Sequence, residues 1–214
     1  QYFGYFGNPV SGDYTDEVFD HTNFVVADPT QYTSSSFRNL LAKARNKQMK
    51  IIISVSNIFY KLEGLNLTFR TDLWQQVAAD ITAMNASDVI LSFYFDEPEL
   101  AVDAIKEMAR QQNTSVNLDY LTEMNRVASA VRANFPNAKM QMTSAYVHVN
   151  PSMVLPSSFD YFAFDCYSGW DACGDSTHSL TIPQYFQILK QKVEALNQQD
   201  GKSRRIFLIP PTFV

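Results

Sequence analysis

The chain has 214 residues, 46% of them apolar, and a formal charge of −5 at pH 7, which is enough for a sizeable core in a single domain over residues 1–214. The mild acidity is spread along the sequence and no Lys/Arg cluster alternates with aromatics, so nucleic acid and anionic membrane surfaces are set aside as partners. No apolar run approaches the roughly 20 residues of a membrane span, and Gln1 leads directly into "YFGYFG" without a leader pattern.

Runs rich in Val, Ile, Phe and Tyr predict strands at residues 2–6 and 22–27, followed by a helix whose apolar face is Phe37, Leu40, Leu41 and Ala44. A strand at 50–56 precedes a second helix, with its face on Trp74, Val77, Ile81 and Met84. The strand at 89–95 ends in Asp96, Glu97, Pro98 and Glu99, and Pro98 suits the first position of a helix through Leu100, Ala104, Ile105 and Met108. Leu118, Leu121, Ala128, Val131 and Phe135 mark another helix before strands at 139–147 and 161–167. Tyr185, Leu189, Val193 and Leu196 form the last helical face, ahead of a seventh strand at 205–211.

Strands that are apolar almost throughout and alternate with amphipathic helices predict an α/β fold, a parallel sheet covered by helices. The first strand-to-helix turn lacks the glycine-rich phosphate fingerprint of a nucleotide-binding open sheet. One parity of several strands is small or polar: Ser54 and Ser56; Ser92, Tyr94 and Asp96; Gln141, Thr143 and Ala145; Ala163, Asp165 and Tyr167. The opposite parity carries Phe93, Phe95, Met140, Met142, Phe162 and Phe164, which suit a face under helices. Small and polar groups on one face fit the inside of a (β/α) TIM-type barrel near its working mouth. Such a barrel has eight strands and this sequence offers seven, so we expect an incomplete piece of a longer barrel, with an open or seven-stranded variant as the alternative.

Chemistry in that architecture sits at the carboxyl ends of strands, where "FDEPEL" lies. Glycoside hydrolysis needs a carboxyl group that stays protonated to donate to the leaving oxygen, and a second group across the sugar. Burial against an apolar strand, with Asp96 and Glu99 close by, should raise the pKa of Glu97 towards that requirement. Helix capping is the competing explanation. It suits Glu99 in the first turn, but a Glu at the N-cap is a poor choice.

"FDEP" resembles the strand-four Asn-Glu-Pro of the large clan of retaining (β/α)₈-barrel glycoside hydrolases. The resemblance implies Glu97 as acid/base, with Asp96 standing where the clan has an Asn that binds a sugar hydroxyl. "FDYFAFDCYSGW" is similar to its sixth-strand counterpart in barrels acting on amino sugars, which implies Asp165 and Tyr167 as a substrate-positioning pair. One departure matters. The clan's nucleophile is a Glu at the end of strand seven, and "RRIFLIPPTFV" has no carboxylate. Either the nucleophile lies beyond Val214, or Asp165 or another acid takes its place, or there is no hydrolysis.

Aromatics that can stack on a sugar are Trp170, with Tyr60, Tyr94 and Tyr146 as further candidates, whereas Trp74 lies on a helical core stripe. His21, His148 and His178 have no metal-ligand spacing, no metal or other cofactor is expected, and only His148 is placed near a strand end. Asp28 in "VVADP" could line the mouth or simply make a turn, and no G-x-S-x-G elbow is present.

Cys166 and Cys173 flank a Gly-containing loop and could close a short disulfide, and N-x-S/T acceptors begin at Asn66, Asn85 and Asn113. Together these features predict a secreted or lumenal glycoprotein. The expected function is a glycoside hydrolase that cleaves or binds an oligo- or polysaccharide. The alternatives are a non-catalytic carbohydrate-binding or structural glycoprotein on the same barrel, and a barrel lyase or hydrolase holding a divalent cation. Oligomeric state is not written in the sequence.

Overall fold

The computed structural model describes residues 4–5, 20–63, 65–165 and 180–207. The chain divides into two compact units, Gln1–Tyr94 with Val131–Ala138, and Phe95–Ala130 with Lys139–Val214.

In the first unit β1 (Gly4–Tyr5) pairs in parallel with β2 (Phe24–Ala27). Helix α1 (Ser34–Asn46) follows, its Thr33 side chain accepting the Ser36 N–H at 3.2 Å and its last turn carrying Lys43 and Arg45, which suit the negative end of the helix dipole. It leads to β3 (Lys50–Ser54), parallel to β2. The strand expected to reach residue 56 stops at Ser54, and the chain turns into the short α2 (Ser56–Phe59) and a hairpin of β4 (Lys61–Glu63) and β5 (Asn66–Thr68), neither of which was predicted. After α3 (Thr71–Ala83) comes β6 (Ile90–Asp96), which pairs in parallel with β3.

The buried face of α1 is the one read from the periodicity, Phe37, Leu40, Leu41 and Ala44, and that of α3 holds for Trp74, Val77 and Ile81, whereas Met84 caps the helix and is half-buried. Asp80 is buried too, and it ties the two helices together by accepting from the Arg38 Nε at 2.6 Å and the Ser34 Oγ at 2.8 Å. Trp74 meets Phe93 at 5.8 Å and Phe135 at 6.1 Å between ring centroids, and its indole N–H donates to Asn134. Phe93 therefore faces helices, as its parity predicts. Each ring of this kind contributes roughly 1.5–3 kcal/mol by leaving water.

The second unit begins at Phe95 and continues through α4 (Pro98–Gln111) and the start of α5 (Tyr120–Asn134) to β7 (Met140–Ala145) and β8 (Tyr161–Asp165). Helix α6 (Ile182–Asp200) opens on Thr181, whose N–H is accepted by the Gln184 side chain at 2.7 Å, and closes on Gly201 at φ 71°, a backbone that favours glycine. It returns the chain to β9 (Arg205–Ile206), and β7, β8 and β9 run parallel in that order. Met142 and Phe164 again face helices, through the Tyr120 hydroxyl at 3.4 Å and the Tyr185 ring at 5.8 Å. Gln141, Thr143 and Asp165, of the other parity, are all buried. Arg204, 6% exposed, donates to Asp200, to Asn197 and to the carbonyls of Ser157 and Phe159, which fastens the end of α6 to the loop before β8.

Candidate functional site

The carboxylates gather at the carboxyl ends of β6 and β8, within the second unit. β6 ends at Asp96, and Glu97 then adopts φ 38° and ψ 53°, the left-handed region. For an L-residue with a long side chain this costs about 1–2 kcal/mol. The turn is held by the Glu97 N–H, which donates to the Thr143 carbonyl at 2.9 Å, and by the Leu100 N–H, which donates to the Glu97 carbonyl at 3.1 Å. Pro98 then starts α4 with its fixed φ and no N–H to satisfy.

Glu97 occupies the N-cap position, yet its side chain makes no capping hydrogen bond. Helix capping therefore does not account for it. The Glu97 carboxyl instead hydrogen-bonds Asp165, the last residue of β8 and 3% exposed. Burial, first, then the negative charges of Asp165 and Asp96, the hydrogen bond to Asp165 and the charge of Glu99 push Glu97 up to about 8. A carboxyl group of this kind is a proton donor at neutral pH, where an ordinary glutamate has none to give.

The three acids at the end of β6 go to different places. Asp96 is exposed. Glu99 points to the helix-facing side of β7, where its Oε1 accepts from the Ser144 hydroxyl at 2.7 Å. Burial raises its pKa, opposed by the Ser144 bond and by the nearby His148 and Tyr120. Next to it the His148 Nε2 lies 2.9 Å from the Asp103 Oδ2, a pairing of the turn after β7 with α4. Glu99 thus combines a first-turn acid with a buried contact that no capping argument predicts.

The remaining candidates are dispersed. Tyr146 follows β7 and packs edge-on against Tyr185 of α6, with centroids 5.9 Å apart. Tyr60 and Tyr94 belong to the first unit, Tyr60 at the end of α2 and Tyr94 buried on β6. Asp28, also in the first unit, is 3% exposed and spends both oxygens locally, accepting from the Thr30 N–H at 2.9 Å and the Asn57 amide at 2.6 Å. Tyr167, Trp170, Cys166 and Cys173 lie outside the described residues. Among the described residues no group of three or more His, Cys, Asp and Glu is arranged to hold a metal ion, and no helix is long and apolar enough to cross a membrane.

Ser144 and Thr143 are the residues that the sequence reading missed as parts of this site. By alternation Ser144 shares a strand face with Met140 and Met142, and a serine following two methionines at that parity was the available signal.

No protein-family model matches the chain, and no curated protein matches it. Solved structures do. β-Glucuronidase 2 from Bacteroides uniformis is similar at 13% identity over 90% of this chain and 22% of that one, with a TM-score of 0.50. The glycoside hydrolase domain of PelA from Pseudomonas aeruginosa is 14% identical over 98% of this chain and 84% of that one, with a TM-score of 0.48. The intracellular xylanase TsXylA from Thermoanaerobacterium saccharolyticum is 10% identical over 86% and 66%, with a TM-score of 0.46. This chain spans about a fifth of the length of the glucuronidase. At this identity the likeness to the glucuronidase is one of fold alone, a parallel-strand α/β architecture.

Proposed function

We propose that this chain is the catalytic part of a glycoside hydrolase in which Glu97 is the general acid and, in the reverse direction, the general base. The observation that carries the reading is the Glu97–Asp165 pair: a carboxyl group pushed up to about 8 and hydrogen-bonded to a buried carboxylate where parallel strands end. Protonated Glu97 donates to Asp165 at rest. When a glycosidic oxygen takes the place of that acceptor, the same proton moves to the departing sugar oxygen.

Asp165 raises Glu97 both by its charge and by a hydrogen bond, and we assign it a tuning and positioning role rather than attack on the sugar. Asp96, exposed beside Glu97, is the group we assign to a sugar hydroxyl, and the stacking partners are assigned to Trp170, Tyr167 and Tyr146. The substrate class is an oligo- or polysaccharide. The β-glucuronidase of similar fold is described as covalently bound to cyclophellitol-6-carboxylate aziridine, which is consistent with a carbohydrate ligand here.

The test is Glu97→Gln, assayed on aryl glycosides with poor and with activated leaving groups. The variant should fold, lose about 10²–10⁴-fold with poor leaving groups, and lose far less with activated ones, which depart without a proton. Equal losses on both, or none, sink the acid role. One feature favours a second reading. The segment read from the sequence as a seventh strand, "RRIFLIPPTFV", has no carboxylate, which suits a barrel that binds sugar without cutting it. In that case Glu97→Gln changes affinity while wild type and variant alike show no turnover.

A further inference from the structure

Resting on Glu97 as the proton donor, we infer that Ser144 and Glu99 are positioning residues, a tether that holds Glu97 in its left-handed turn and so aims its carboxyl at Asp165. The geometry is a clamp with two ends. Thr143 and Ser144 are consecutive residues of β7. The carbonyl of Thr143 takes the Glu97 N–H at 2.9 Å, and the hydroxyl of Ser144 donates to the Glu99 Oε1 at 2.7 Å. Between Glu97 and Glu99 stands Pro98, whose ring fixes φ. Three residues are thus fastened at both ends to adjacent positions of one strand, at Glu97 through the backbone and at Glu99 through the side chain.

A left-handed conformation at a glutamate persists only where its surroundings over-determine it. The helix supplies only the Leu100 N–H to the Glu97 carbonyl, since the Glu97 side chain makes no capping bond. Nor does the helix dipole need Glu99 to be buried, since an exposed acid in the first turn serves it as well. Yet the Glu99 Oε2 is shut off from solvent and has no hydrogen-bond partner. Burial of that oxygen costs free energy, which a role confined to the dipole leaves unexplained. The groups facing the Glu99 carboxyl are Ser144 from β7, His148 from the turn after β7 and Tyr120 from α5, while Asp103 on its own helix is engaged by His148. Of these, the Ser144 hydroxyl makes the short bond that links α4 to the strand carrying the Thr143 carbonyl.

The experiment reads Glu97 directly and needs no ligand. Glutamate δ-carbons are labelled with ¹³C and the Glu97 carboxyl is titrated by NMR in wild type, Ser144→Ala, Glu99→Ala, the double variant and Ser144→Thr, with turnover of a 4-nitrophenyl glycoside panel measured in parallel. With the tether cut, the Glu97 midpoint should fall by about half a unit or more as the carboxyl swings towards water. In parallel, kcat should drop about 10- to 100-fold with KM within about twofold. Ser144→Thr restores the hydroxyl and should restore both. The double variant should lose no more than the larger single loss, because both changes break one bond. Should Ser144→Ala fail to fold, Glu99→Ala is read against Glu99→Gln: both remove the Glu99 charge that raises Glu97, only Glu99→Ala also severs the bond to Ser144, and the tether predicts a further fall in Glu99→Ala alone.

An unmoved Glu97 titration in a folded Ser144→Ala or Glu99→Ala protein overturns the tether, as does a failure of Ser144→Thr to rescue. The two readings fall separately. If wild type turns over no glycoside while both variants shift the Glu97 midpoint, the proton-donor reading is lost and the tether stands. If wild type is active and the midpoint stays, the reverse holds.

Discussion

Replacing Asp165 by Asn separates tuning of the proton donor from every other role that this buried acid could have. At pH 7 a carboxyl titrating at about 8 is about nine-tenths protonated, whereas one at the ordinary 4.5 is about 0.3% protonated. Burial is the largest cause of the rise, so Asp165→Asn should not return Glu97 to its ordinary value. With the charge of Asp165 gone and its hydrogen bond weakened, the midpoint should fall only part of the way from about 8 towards 4.5. The protonated fraction of Glu97 at pH 7, and kcat/KM with it, should drop, and both should recover towards wild type at pH 5. The assay is a kcat/KM–pH profile from pH 4 to 9 on a glycoside with a poor leaving group. The basic limb of the variant should lie at lower pH than that of wild type. A variant that is inactive at every pH makes Asp165 a reacting group, and an unshifted basic limb removes it from the Glu97 titration altogether. Either result refutes the tuning argument.

Other consequences can be measured on the same protein. The raised pKa of Glu97 means that the folded chain holds a proton which the unfolded chain releases between about pH 4.5 and 8. Its contribution to stability is therefore fully present below 4.5 and is lost as pH rises through 8. Urea midpoints at pH 5 and pH 8 should differ in that direction, and Glu97→Gln should narrow the difference. Phe93→Ala removes a ring, 1% exposed, from between Trp74 and Phe135, and should cost about 3–5 kcal/mol, seen as a Tm about 10 °C or more lower; an unchanged Tm would show that the cluster does not support the fold. We also propose a secretory route with glycans at Asn66, Asn85 and Asn113, all three exposed. Expression in a glycosylating host should then give a product whose mass falls on treatment with an amidase that removes N-linked glycans. A single unshifted band counts against that localisation.

Most of the architecture was legible in the sequence because its periodicities are strong. Phe37, Leu40, Leu41 and Ala44 name one helix face whatever packs on it, and continuous runs such as "VILSFYF" have no place except a strand buried on both sides. The short hairpin and α2 escaped because elements of three or four residues are too brief to show a period. In the candidate site, the acidic end of β6 and Asp165 stood out as carboxylates beside apolar runs. Their partnership did not: 68 positions separate Glu97 from Asp165, and nothing in either segment specifies the other.

What the sequence by itself determined is the order of strands and helices and the identity of the buried faces, since both follow from local patterns of side-chain size and polarity. Only the tertiary structure decided which of three neighbouring acids has its proton held. Asp96 is exposed, Glu99 goes to the Ser144 hydroxyl on the helix-facing side of β7, and Glu97 is turned towards Asp165 by a left-handed residue that no local preference would have chosen. The reason is physical: desolvation and charge repulsion depend on distance through space, and parallel strands separated by whole helices set that distance.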